Sequence, residues 1–182
     1  VCLKNNLSFH LDGARLFNAL VAKSETAKQY GEIFDSISIC LSKSLGCPVG
    51  SLLLGKRDFI KKSRRVRKIF GGGMRQAGIL AGAGIYALTH NINRLADDHQ
   101  HAKMVAHELL NKSYTGHMLP VETNIVIFEA AGHYTAKSLA EKFKESNILV
   151  IPISPTQIRM VFHLDITREM VTKTLEVINN IN

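Results

Sequence analysis

The stretch IFDSISICLSKSLGCPVGSLLLG, from Ile33 to Gly55, decides how this chain folds. Ile33, Asp35, Ile37 and Ile39 alternate with Phe34, Ser36, Ser38 and Cys40, and this period of two predicts a strand ending near Leu41. VGSLLL (Val49–Leu54), closed by Gly55, predicts another. The link between them, SICLSKSLGCPVGS from Ser38 to Ser51, sets a lone Lys43 among small residues and glycines just past a strand end. Lysine is uncommon in apolar settings unless paired or employed. Burial lowers its pKa and frees the neutral amine for a Schiff base. A surface turn with Lys43 in water accounts for the spacing equally well.

Working upstream, LSFHL (Leu7–Leu11) is a further short strand that ends at Asp12-Gly13. Two strand ends therefore deliver polar residues, Asp12 and the neighbourhood of Lys43. Ligands of open α/β sheets gather outside the carboxyl ends of strands. In His10-Leu11-Asp12-Gly13-Ala14-Arg15 the acid suits a cationic ring nitrogen and the arginine suits an anion. An Asp-Gly turn followed by a surface arginine is the plainer reading of these residues alone.

Working downstream, Phe59, Ser63, Val66 and Phe70 share one face of a basic helix from about Arg57 to Ile69, ended by Gly71-Gly72-Gly73. Gln76–Thr89 is rich in glycine and alanine, which predicts a buried, tightly packed helix. Ile92–Lys112 carries Leu95, His99, Ala102, Ala106 and Leu109 on one face and predicts an amphipathic helix. Ser113–Pro120 reads as a loop. Beyond it the order is strand Asn124–Glu129, helix Ala136–Ser146, strands Ile148–Ile153 and Gln157–His163, and helix Arg168–Ile181. That order predicts a small α+β domain with a mainly antiparallel sheet.

Composition narrows the classes. With 182 residues, 46% hydrophobic and 21% charged, the chain has material for one or two ordinary cores. The net charge of +8 permits a polyanionic partner without requiring one. Nine of the 23 basic residues lie in Lys56–Arg75, a phosphate or nucleic-acid surface or simply a solvated helix face. No aromatic is interleaved on its charged side, so no nucleic-acid partner is expected. Cys2, Cys40 and Cys47 are odd in number and irregular in spacing, which points to a reducing, cytoplasmic setting. Zinc signatures are missing and His99 and His101 are poorly spaced, so no metal is expected. No apolar run reaches the roughly 20 residues that span a bilayer, so no membrane is expected. GAGIYA (Gly82–Ala87) matches a dinucleotide-binding fingerprint, but it lies within a helical pattern rather than after a strand. The opening VCLKNNLSFHLDG lacks an initiator Met, and the chain is expected to begin within something larger.

Three segments together resemble the L-threonine aldolases, within the β-eliminating lyase group of fold-type-I pyridoxal-phosphate (PLP) enzymes. They are HLDGARLFNA (His10–Ala19), SICLSKSLGCPVGSLLLG (Ser38–Gly55) and RKIFGGGMRQAGILAGAGIYAL (Arg67–Leu88). RLADDHQHAK (Arg94–Lys103) and IRMVFHLDIT (Ile158–Thr167) are similar too, and the five occur in family order. The resemblance implies an α/β chain. Residues 1–112 would be part of a fold-type-I PLP-binding large domain and 113–182 the small α+β C-terminal domain. It implies that Lys43 forms the Schiff base with PLP and that Asp12 keeps the pyridine nitrogen protonated, which makes the ring an electron sink. It further implies that Arg15 lies near cofactor and substrate carboxylate, and that Arg159 binds the α-carboxylate by a bidentate fork. Lys68 and Arg75 would reach a cofactor phosphate, apparently of a neighbouring subunit, in a homo-oligomer (dimer or tetramer). The implied reaction cleaves L-threonine or L-allo-threonine to glycine and acetaldehyde, with a β-eliminating lyase acting on another amino acid as the alternative. The chain would be the C-terminal portion of such an enzyme, nearly inactive alone. Two departures stand out. Ser44 replaces a usual Gly, which is harmless unless that backbone needs positive φ. Phe162 replaces a usual Thr and is expected to crowd the surroundings of Arg159.

Overall fold

Strand β1 (His10–Gly13) runs parallel to β2 (Ser36–Cys40), and β3 (Ser51–Gly55) pairs antiparallel on the other side of β2. The order of this sheet is β1-β2-β3. The computed structural model describes residues 1–181, which form two units, 1–94 and 95–181. The first sheet belongs to the first unit.

The alternation read in the sequence sets the two faces of β2. Ile37 and Ile39 are buried, and they line one groove with Leu16 of α1 (Leu16–Lys23). Ser36, Ser38 and Cys40 turn the other way and are half-buried. The strand starts later than the pattern suggested, because Ala27–Ile33 forms helix α2. Thr26 caps it in a reciprocal capping box with Gln29, which offsets the weak helix propensity of its glycine. The upstream strand is likewise displaced toward Gly13. The Phe9 backbone is fastened to Asp35, and the ladder opens only at His10 opposite Ser36.

Helix α3 (Arg57–Ile69) occupies the span its pattern predicts and buries none of its residues. Gly71, at φ 79°, leads the chain out of it. Helix α4 (Gly78–His90) corrects an expectation. It is apolar all round, yet only Gly84 and Ala87 are buried, and Ile79, Ile85 and Tyr86 are 62–88% exposed. Such a helix needs cover on every side. The first unit covers it with little more than the segment from Leu41 to Cys47. There Cys47 Sγ donates to the Ala83 carbonyl at 3.6 Å, and Asn91 Nδ2 donates to the Leu45 carbonyl at 2.8 Å.

The second unit begins with α5 (Leu95–Leu109), which packs on β5 (Ile125–Ala130) and α7 (Arg168–Asn180). The division expected after Lys112 places α5 with the preceding domain; its packing partners here lie in the second unit. The segment read as a loop holds β4 (Thr115–Met118), and α6 (Ala136–Glu145) follows β5. Of the strand expected at Ile148–Ile153, only β6 (Ile151–Pro152) joins the ladder, and the Ile153 N–H donates to the Gln157 carbonyl at 2.9 Å. With β7 (Gln157–Val161) the sheet is antiparallel in the order β4-β5-β7-β6. Val126, Phe128, Ile158, Met160 and Phe162 bury one face against Val105, Leu109, Leu139, Phe143 and Ile178. The other face carries Ile127, Arg159 and Ile151 side by side across three strands.

Candidate active site

Asp12 sits in β1 directly opposite Ser38 of β2, and Lys43 lies three residues past the end of β2. Because β1 and β2 are parallel, both groups stand at the same carboxyl edge of the sheet. The acid and the amine thus come together in the first unit by topology. Both are exposed. In this chain the Lys43 side chain emerges from a turn. Gly46 N–H donates to the Lys43 carbonyl at 2.9 Å and tightens that turn. Ser44 is buried and is not among the residues with positive φ, so its Cβ costs the backbone nothing.

The half-buried face of β2 is a row of small polar groups. Ser38 Oγ donates to Asp12 Oδ1 at 3.5 Å, His10 Nδ1 and Ser36 Oγ are 2.8 Å apart, and Cys40 Sγ and Ser42 Oγ are 3.3 Å apart. Burial acts to raise the Cys40 thiol, but its hydrogen bond to Ser42, the Lys43 charge and Ser51 together hold it below the ordinary thiol range. Burial raises the Cys47 thiol, as does the nearby Cys40. Arg15, at the start of α1, lines a crevice of about 10 Å³ with Asn18, Cys40, Ser44 and Leu45, so it adjoins the Lys43 turn.

The remaining expected residues are placed elsewhere. Lys68 lies in the last turn of α3 and Arg75 in the glycine-rich link after it, both exposed. Among the described residues neither shares a hydrogen bond or ion pair with Asp12 or Lys43. Arg159 belongs to the second unit, between Ile127 of β5 and Ile151 of β6. Its Nε is buried and makes no hydrogen bond among the described residues. Buried N–H groups are rarely left so, and the guanidinium keeps capacity for an incoming acceptor. Phe162 does not crowd it. Phe162 is buried in the core on the opposite face of the sheet, and its backbone is bound by Asn124: Phe162 N–H donates to the Asn124 carbonyl at 2.9 Å and Asn124 Nδ2 to the Phe162 carbonyl at 2.7 Å. The ring packs in the core and leaves the open face of β7 untouched. Ser38 was not singled out from the sequence; alternation sets it opposite Ile37 and Ile39, and the pairing of β1 with β2 brings it to the face of Asp12.

Within the first unit the groups fit PLP by their chemistry: Lys43 offers a primary amine for an aldehyde, Asp12 a carboxylate for a pyridinium nitrogen, and Arg15 a cation for an anion. Among the described residues no group of three His, Cys, Asp or Glu side chains could hold a metal ion, and no helix is long and apolar enough to cross a membrane.

Comparison with known proteins agrees. The low specificity L-threonine aldolase of Escherichia coli K12 is 47% identical over 170 residues, covering 93% of this chain and 50% of that protein. The low-specificity L-threonine aldolase 1 of Arabidopsis thaliana is 39% identical over 178 residues, covering 96% of this chain and 50% of that protein. The chain thus spans about half the length of the curated relatives it matches. Among solved structures, a threonine aldolase of Leishmania major superposes with a TM-score of 0.78 at 18% identity, covering 98% of this chain and 53% of the other. An ornithine δ-aminotransferase of Plasmodium falciparum gives 0.66 at 17% identity, covering 98% and 48%. The fold is that of the fold-type-I PLP enzymes. The Beta-eliminating lyase family profile matches residues 1–133, and the chain belongs to this family of PLP-dependent enzymes.

Proposed function

We propose that this chain carries the cofactor-holding part of a PLP-dependent aldol lyase that cleaves L-threonine and L-allo-threonine to glycine and acetaldehyde. One observation carries this reading: Asp12 and Lys43 come from adjoining parallel strands and stand at one carboxyl edge, within the matched segment. Residues 1–112 would serve the cofactor and 113–182 would form the small domain.

When bound, PLP supplies a conjugated cationic ring that takes up the electron pair released as the Cα–Cβ bond breaks. The chain's own residues hold and orient. Lys43 Nζ would tether the cofactor through its aldehyde carbon and, once a substrate amine displaces it, remain beside the reacting carbon as a proton carrier. The Asp12 carboxylate would hold the proton on the ring nitrogen, an interaction that gains strength as negative charge reaches the ring. Arg159 would grip the substrate carboxylate, its half-buried side chain lying between Ile127 and Ile151. Arg15 would add a second positive charge near the cofactor and that carboxylate.

By resemblance to the family, Lys68 and Arg75 would reach the cofactor phosphate of a neighbouring copy. The exposed apolar side chains of α4 support assembly into a dimer or tetramer. Three free cysteines support a reducing cytoplasmic setting, with a place in glycine formation.

Lys43→Ala tests the reading. It should leave the fold intact, remove the adduct that borohydride traps on this residue, and abolish release of acetaldehyde from threonine by the whole protein. Full activity in that variant would refute the assignment. Pyruvate or ammonia as products would favour the lyase alternative.

A further inference from the structure

We propose that Ser38 is a positioning residue that aims the Asp12 carboxylate, an inference that rests on the reading of Asp12 as the partner of the cofactor's ring nitrogen. Asp12 is exposed, and an exposed aspartate ordinarily samples several rotamers. Here it lies in register with Ser38, whose hydroxyl donates to Asp12 Oδ1. That leaves Oδ2 for another donor. The 3.5 Å separation is long for a hydroxyl–carboxylate contact.

A second observation locates this pair independently. The next residue, Gly13, has no Cβ, and one built there would lie 2.7 Å from the Ser38 carbonyl oxygen. The backbones of β1 and β2 are therefore pressed together at the position of Asp12 and Ser38. β2 presents Ser36, Ser38 and Cys40 on the face that carries His10 and Asp12. Of these only Ser38 meets the acid.

The test uses the chain labelled with ¹³C and ¹⁵N, comparing wild type with Ser38→Ala, Ser38→Thr and Asp12→Asn. Three-bond couplings to the Asp12 carboxyl carbon report its χ1 rotamer without cofactor or turnover. One dominant rotamer is expected in wild type and in Ser38→Thr, and averaging over rotamers in Ser38→Ala. PLP affinity should fall severalfold in Ser38→Ala and recover in Ser38→Thr, a rescue that general loss of packing would not give. An Asp12 rotamer unchanged in Ser38→Ala overturns the proposal, as does unchanged affinity where Asp12→Asn weakens binding. If Asp12→Asn leaves PLP affinity unchanged, the underlying reading of Asp12 fails and the proposal falls with it, whatever the couplings show.

Discussion

A Cβ on Gly13 would approach the Ser38 carbonyl oxygen to 2.7 Å and the Leu16 Cβ to 3.2 Å. Both obstacles are close to the backbone, so neither can swing aside. Gly13 is thus required by close approach and not by an unusual φ. Alanine there must push β1 off β2, and overpacking of this kind costs about 1–3 kcal/mol. The stiffer unfolded chain returns about 0.4–1 kcal/mol, so Gly13→Ala should destabilise the first unit by about 1–2 kcal/mol. Chemical denaturation would measure it. PLP affinity should fall too, since Asp12 moves with the strand; an unchanged midpoint would mean that the two strands separate freely. The same scale shows why Phe162 was misjudged. Its place three residues after Arg159 suggests a neighbour, but in a strand odd and even positions face opposite sides. Parity assigns Phe162 to the core with Ile158 and Met160.

Among elements, β3 is exposed along its whole length. Leu52, Leu53 and Leu54 are each about 40% accessible, and the edge of β3 away from β2 pairs with nothing among the described residues. An apolar edge of that kind is a template for another strand. Leu53→Lys puts a charge on the face opposite Leu52 and Leu54, and it should reduce self-association of the chain as concentration rises. Light scattering across a concentration series would show it; equal scattering would place the adhesive surface elsewhere, with α4 the next candidate. Much of this level was legible beforehand. The alternation in SISIC, the amphipathic pattern of α3 and the order of elements after Pro120 each reappear, because each is fixed by local periodicity. The exposure of α4 was not legible, since composition states what a helix should be buried against without saying whether it is present. The exposure of Lys43 was hidden for a similar reason: small residues on both sides fit a tight turn as well as a pocket. Topology was partly legible, because Asp12 and Lys43 each follow a strand. Their meeting at one edge depends on β1 and β2 being parallel neighbours, and pairing is not written in either segment alone.

At the scale of the molecule the two units are unequally finished. The unit 95–181 encloses Phe128, Phe143, Leu109, Ile158 and Ile178 completely, whereas apolar side chains of β3 and α4 in the unit 1–94 stay in water. Backbone amides of β5 and β7 should therefore exchange with solvent more slowly than those of β1 to β3. The better-built unit also carries an acid sensitivity. Burial holds His99 of α5 below the ordinary histidine value of 6.5; Asp98 opposes this and Lys103 reinforces it. Unfolded, the same imidazole titrates normally, so between the two values the unfolded state binds more protons than the folded one. Stability then rises with pH. Its contribution is complete above about pH 6.5 and is lost as the pH falls toward and below the depressed folded value. Thermal unfolding of the second unit, followed from about pH 7.5 to about pH 5, should show a falling midpoint. His99→Gln keeps a polar side chain without a titrating ring and should flatten that fall. An identical slope in the variant would assign the acid sensitivity to carboxylates, whose loss of ion pairs such as Glu108 with Lys112 sets in at lower pH.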